Sequence, residues 1–144
     1  MLEKNLLDLS IKAALMSGEI LKRGFGTHYS IHSKEGRHNL VTEFDIKSEQ
    51  TIIEFLKKEI PESEFLAEES GQSTPQSNSS IKWVIDPLDG TVNFAHNIPI
   101  FSISIAAVVN NIITAGVVLN PMNGELFTSM IEEGAYFKNE KIKE

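Results

Sequence analysis

Two carboxylates and a hydroxyl, Asp86, Asp89 and Thr91, sit close together in Trp83-Val84-Ile85-Asp86-Pro87-Leu88-Asp89-Gly90-Thr91-Val92-Asn93-Phe94. The apolar run Trp83 to Ile85 predicts a short buried strand that ends at Asp86-Pro87. Pro87 fixes its own φ and pushes Asp86 towards extended backbone, and Gly90 allows a sharp turn. Two unit charges ~5 Å apart, at an effective dielectric of ~20, repel by about 3 kcal/mol. Such a pair calls for a cation, a raised pKa or an escape into solvent. By itself the turn fits a solvated Asp-Pro turn as well as a cation site.

Other acids bear on the choice. Glu64-Phe65-Leu66-Ala67 reads as a short apolar strand running into Glu68-Glu69. If that strand end lies beside the Asp86 turn, then Glu68, Asp86, Asp89, the Thr91 hydroxyl and the Leu88 carbonyl converge. Every donor is oxygen, a set that selects magnesium, calcium or manganese. The twelve-residue calcium loop ending in Glu is missing, and no histidine pair has the helical spacing of a zinc site. Magnesium keeps waters and seeks phosphate as a further ligand. Phosphate monoesters need up to ~10²¹-fold acceleration, whereas one general base supplies ~10²–10⁴. A metal pair closes that gap. In the rival Asp-x-Asp-Gly-Thr chemistry the nucleophile is an aspartate two residues from its partner. Here the spacing is three, which through a turn places the side chains on different faces, so water is the favoured nucleophile.

The elements that must position these groups are legible from periodicity. Leu2, Leu6, Leu9, Ala13, Met16 and Ile20, widened by Leu7, Ala14 and Leu21, form the apolar stripe of a helix that Gly24-Phe25-Gly26 ends. Lys22 and Arg23 suit its C-terminal dipole. Tyr29 and Ile31 alternate with polar neighbours in a short strand, with His28 and His32 exposed. Ser33 to Asn39 is a polar loop, either a solvated connection or a flap carrying Lys34. Thr42 and Asp45 resemble a capping box that opens a second helix. Its apolar face is Ile46, Ile52, Ile53, Leu56 and Ile60, and Pro61 stops it. Asp45 serves as a helix-start acid or points towards a cation. Gly71 to Ser80 is a surface loop. Beyond the central turn, Phe101–Val109, Ile112–Leu119, Leu126–Met130 and Ala135–Phe137 read as strands joined at Asn110-Asn111, Asn123-Gly124 and Glu133-Gly134. The expected class is α+β, two N-terminal helices packed on an antiparallel sheet.

Composition narrows the function classes. The chain has 144 residues, enough for one domain, with 41% hydrophobic and 23% charged residues. Its net charge of -7 argues against direct nucleic-acid contact. It contains no cysteine, which removes disulfides, thiolate nucleophiles and Cys-ligated zinc and fits a cytoplasmic location. No basic segment followed by an apolar core opens the chain. Val92 to Gly124 lacks Asp, Glu, Lys and Arg, but Pro99, Asn110-Asn111 and Asn120-Pro121 break it into strands too short to cross a membrane.

Asp86-Pro-Leu-Asp-Gly-Thr-Val-Asn-Phe94 resembles the signature of the inositol monophosphatase family of magnesium-dependent, lithium-sensitive phosphatases. Trp83, His96, Pro99, Ala67-Glu-Glu-Ser70, Val41-Thr42 with Asp45, and Lys34 fit the same pattern. The resemblance implies that Glu68, Asp86, Asp89 and the Leu88 carbonyl hold metal, within a family site of two or three Mg²⁺ ions. It implies that Thr91, with Glu68 and Asp45, orients and activates the attacking water. Gly90 and Thr91 would bind the substrate phosphate through backbone amides, and Lys34 and Glu69 would lie in the outer shell. It further implies a homodimer.

The resemblance covers residues 1–144 as the N-terminal lobe of an α/β/α/β/α sugar-phosphatase fold. The family's second lobe and its Trp-Asp-x-Ala-Ala-Gly motif do not occur before Glu144. The implied activity is hydrolysis of a small phosphate monoester of a polyol or sugar, inositol monophosphate first, requiring the second lobe. The chain alone is expected to bind one magnesium weakly and turn over little or no substrate. The alternative is a non-catalytic protein-binding module in a regulatory or RNA-processing complex.

Overall fold

The computed structural model describes residues 1–33, 40–73 and 79–143. Helix α1 (Leu2–Gly24) is followed by strand β1 (Ile31–Ser33), β2 (Leu40–Thr42) and helix α2 (Glu43–Glu59). Next come β3 (Glu64–Ala67), β4 (Gly71–Gln72), β5 (Ile81–Asp89) and the short helix α3 (Thr91–Ala95). The chain closes with β6 (Ser102–Val109), β7 (Ile112–Asn120), β8 (Glu125–Met130), β9 (Gly134–Phe137) and β10 (Glu140–Lys141).

Strands β1 and β2 pair with each other, and the other eight form one sheet in the order β10-β9-β8-β7-β6-β5-β3-β4. The α+β class holds, but the sheet is mixed rather than antiparallel. Strands β3 and β5 run parallel, Phe65 opposite Trp83 and Ala67 opposite Ile85. That pairing brings the end of β3 beside the second half of β5. The meander follows the predicted turns, and Asn110 and Asn111 both have positive φ, at 49° and 65°, as a two-residue hairpin loop requires.

Helices α1 and α2 cover one face of the sheet. Trp83, Ile85, Ile103, Ile105, Ala107, Ala115, Val117 and Leu119 point into that layer and are buried. The alternate residues make the opposite face, where Leu66, Val84, Ala106, Gly116 and Ser129 lie in register across five strands. This face is open: Leu66 and Val118 are each 39% exposed and Phe127 41%.

The buried stripe of α1 is rotated from the one its leucines suggest. Met16 and Leu2 are exposed, whereas Ser10, Ser17, Gly18 and Gly24 are buried. Small residues win these positions because the helix lies close to its neighbours. The Ser17 and Ser48 hydroxyls meet between α1 and α2, and a β-carbon on Gly18 would stand 3.1 Å from Leu119. At Gly24 it would fall 2.4 Å from the Phe44 ring. Gly24→Ala is therefore expected to destabilise the protein by about 1–3 kcal/mol through overpacking, read as a lower urea midpoint with unchanged m-value.

In α2 the expected capping box is present. Thr42 Oγ1 accepts from the Phe44 and Asp45 amides while Asp45 accepts from the Thr42 amide. The inner face of its first two turns is polar. Ile46 is exposed, and Asp45, Ser48 and Glu49 are buried ahead of Ile52 and Leu56.

Candidate functional site

Strand β5 does not stop at Asp86-Pro87, as the sequence suggests, but runs to Asp89 with a bulge. Asp86 pairs with Ser104 and Asp89 with Ser102, so Pro87 and Leu88 together oppose Ile103 alone. The bulge accommodates Pro87, which has no amide to donate. It also shifts the alternation of side chains. Pro87 and Leu88 are both buried, and Asp86 and Asp89 line the same cavity although they are three residues apart. The expectation that this spacing separates their faces is thereby corrected, since it assumed an unbroken strand ending in a turn.

Helix α3 begins immediately after the bulge. Gly90 sits at φ 101°, and a β-carbon there would crowd Phe101 and the Ile100 carbonyl. The helix is seated by Phe94, which is fully buried among Phe25, Tyr29, Phe44 and Phe101 with ring centroids 5.1–5.9 Å away. Asn93 donates from its side-chain amide to the Ile100 carbonyl at 2.8 Å and so closes the loop that follows.

These elements enclose a cavity of about 380 Å³ lined by Glu68, Glu69, Asp86, Asp89, Gly90 and Thr91, with Leu40, Leu88, Val92 and Asn93. Four lining residues are acids, and among the described residues no Lys or Arg lines it. The Asp86 carboxyl is pushed up to about 6, first by burial, then by the charge of Asp89, with smaller contributions from Glu68 and Asp45. The Leu88 amide donates to Asp86 Oδ1 at 3.3 Å and partly opposes the rise.

Asp45 closes the site from below. It is 1% exposed and accepts three hydrogen bonds, from the Thr42 amide at 2.9 Å, the Thr42 hydroxyl at 2.5 Å and the Thr91 hydroxyl at 2.8 Å. It is both the helix-start acid and the partner of the cavity hydroxyl. The Thr91 hydroxyl also lies 3.2 Å from the Leu88 carbonyl. The negative charge of Asp45 adds to burial in raising the Tyr29 phenol.

Of the residues singled out from sequence, Glu68, Glu69, Asp86, Leu88, Asp89, Gly90 and Thr91 line one cavity and Asp45 touches it through Thr91. His28 is exposed. Lys34 lies outside the described residues. Among the described residues, no three His, Cys, Asp or Glu side chains are gathered closely enough to hold one metal ion as they stand. The donor types nonetheless fit a hard cation: they are all oxygen, and burial followed by the charge of Asp89 raises the Asp86 carboxyl above its ordinary range.

Sequence reasoning missed Ser48 and Glu49. Ser48 Oγ donates to the Pro87 carbonyl at 2.7 Å, and Glu49 Oε1 accepts from the Glu69 amide at 2.8 Å. A signal was available. Running the Leu56, Ile52 stripe back by steps of three and four lands on Glu49, Ser48 and Asp45.

The sequence model of the inositol monophosphatase family matches residues 2–144. The chain belongs to the inositol monophosphatase family. It is 37% identical over 139 residues to the Nus factor SuhB of Pasteurella multocida, covering 96% of this chain and 52% of that protein. It is 39% identical over 137 residues to the inositol-1-monophosphatase of Synechocystis, covering 95% of this chain and 47% of that protein. The crystal structure of the extragenic suppressor protein suhB from Bartonella henselae superposes with a TM-score of 0.91 at 35% identity, covering 96% of this chain and 54% of that one. This inositol monophosphatase family chain thus spans about half the length of the relatives it matches.

Proposed function

We propose that the chain forms the metal-binding part of a magnesium-dependent phosphatase, which hydrolyses a small phosphate monoester by attack of water, inositol monophosphate being the first candidate substrate. The observation that carries this reading is the convergence of four acids and the Asp45–Thr91 pair on one cavity that no Lys or Arg lines among the described residues. A phosphate ester would be repelled by that cavity unless a cation entered first. Glu68, Asp86, Asp89 and the Leu88 carbonyl would hold it. Bound magnesium supplies the Lewis acidity that offsets the charge of the phosphoryl group.

The chain's own groups handle the proton. The Thr91 hydroxyl points its hydrogen at Asp45 Oδ1, 2.8 Å away. Its oxygen is left to accept from a water in the cavity and so to orient that water. Asp45, held by two bonds from Thr42, is the acceptor at the end of this relay. The first amides of α3 at Gly90 and Thr91, which a helix leaves outside its own ladder, are the proposed phosphate contacts.

The test is magnesium-dependent phosphate release from inositol 1-phosphate. It is measured with this chain alone and with the chain joined to the segment of its relatives that lies beyond the match. Release by the joined protein, lost in Asp86→Asn, supports the reading; no release and no heat of magnesium binding overturn it. Thr91→Val is expected to lower turnover in the joined protein by about 10²–10⁴-fold, with magnesium affinity unchanged within about threefold.

A second reading, a protein-binding module of a regulatory or RNA-processing complex, takes support from the relative named Nus factor SuhB. Under it, partner capture from extract would survive Asp86→Asn.

A further inference from the structure

Three side chains on one face of α2 each reach a different segment of the cavity wall. Asp45, Ser48 and Glu49 are spaced i, i+3 and i+4, which aligns them on the helix surface. Asp45 takes the Thr91 hydroxyl, Ser48 donates to the Pro87 carbonyl inside the β5 bulge, and Glu49 takes the Glu69 amide. Two of these contacts involve segments that would hold the metal or the water. The third, at Glu49, serves the turn that carries Glu68.

We infer that Glu49 is a positioning residue: its carboxylate fixes the Glu68–Glu69 turn so that Glu68 faces the cavity. Glu49 is 4% exposed. A carboxylate so buried is costly unless hydrogen-bonded, and the Glu69 amide lies 2.8 Å from Oε1. The turn is flanked by the β3–β4 ladder, Ala67 opposite Gly71. Residues 68–70 join β3 to β4, a two-residue strand at the sheet edge, and Glu68 itself is exposed. The Glu68 amide donates to the Ile85 carbonyl at 3.1 Å. Consecutive amides are thus held from two sides, one by β5 and one by α2. The Glu68 side chain lines the cavity with Asp86. Removing the Glu49 acceptor frees the second amide, and the turn loses its orientation while the sheet remains.

The consequence for metal binding rests on the proposed function, but the hydrogen bond does not, and the experiment separates the two. Amide hydrogen exchange on the metal-free protein reads Glu69 directly, and magnesium calorimetry reads the site. In the wild type the Glu69 amide is expected to be protected relative to Ser70. In Glu49→Ala that protection is lost and magnesium affinity falls about 10–100-fold, the range seen when the group orienting a ligand is removed. Glu49→Gln keeps an acceptor oxygen of the same reach and is expected to restore both. An unprotected Glu69 amide in the wild type overturns the inference, and this measurement stands even if Glu49→Ala does not fold. Equal loss of protection in Gln and Ala variants also overturns it. If protection follows the inference but the wild type binds no magnesium, the phosphatase reading fails and the positioning role stands.

Discussion

Asp86→Asn is expected to make the metal-free protein more stable at pH 7, by about 1–2 kcal/mol once solvent screening of a part-exposed carboxylate is allowed for. In a thermal melt that corresponds to a rise of roughly 3–6 °C. The reason is the burial of Asp86 first and the like charge of Asp89 second. Asp86 sits in a partly buried row beside Asp89, with Glu68 and Asp45 near enough to add to the field, and its carboxyl is raised from 3.8 to about 6. The unfolded chain keeps the ordinary value, so between about pH 4 and about pH 6 it releases its proton first. The folded state then holds more protons, and wild-type stability falls as pH rises through that window. Asn carries no proton to lose. The two proteins should therefore melt together near pH 4 and separate progressively up to pH 7. Magnesium is expected to reverse the order. Saturating metal stabilises whatever binds it, by about 2.7 kcal/mol at a hundred times Kd, and the variant lacks a proposed ligand. Thermal melts in chelator and in magnesium across pH 4–8 check both halves. A variant less stable than wild type in chelator at pH 7 would show that Asp86 contributes to the fold rather than straining it.

Phe94→Ala is expected to cost about 3–5 kcal/mol, the range for emptying a fully buried aromatic site. Phe94 is completely inaccessible and touches four other rings. Those rings come from the end of α1, the segment before β1, the start of α2 and the start of β6, so their packing joins four parts of the chain around α3. A domain of this size has a total stability of roughly 5–15 kcal/mol, and the variant should unfold at much lower urea. Thr91 rides on the same short helix, and in the variant the Thr91–Asp45 contact should loosen with it. Urea unfolding gives the energy, and a loss below about 1 kcal/mol would mean that the cluster closes over the gap. Leu at the same position keeps most of the apolar volume and should recover much of the loss.

Magnesium affinity and apo stability therefore pull in opposite directions at Asp86 but not at Phe94. The first residue is a carboxylate destabilised by burial and by Asp89, which a cation would relieve under the proposed function. The second supports the geometry whether or not an ion is bound.

Much of this is legible in the sequence. The Thr42–Asp45 cap depends on residue types three apart and on nothing distant. The Asn110-Asn111 turn depends on two residues that tolerate positive φ. The acids of the signature are likewise a local pattern, so their shared chemistry could be stated from order and type alone. The errors fall where distant segments meet. The apolar spacing of α1 points to a stripe through its largest apolar residues, yet Ser17, Gly18 and Gly24 are buried because α2, Leu119 and Phe44 approach too closely for anything bigger. The sequence alone ends strand β5 at Asp86-Pro87, where Pro87 fixes its own φ. Only its pairing with β6 shows that the ladder breaks there by a bulge and continues.

The same division runs through the site. Local chemistry in the sequence determined which oxygens are available and that they would suit a hard cation. Tertiary structure decided that Asp86 and Asp89 share a face, that Glu68 arrives beside them on a parallel strand, and that Glu49 reaches the turn behind it. The physical reason is that residue type sets what a group can bind, while strand register, bulges and the packing of one helix against two loops set where it points. Those depend on contacts between residues tens of positions apart.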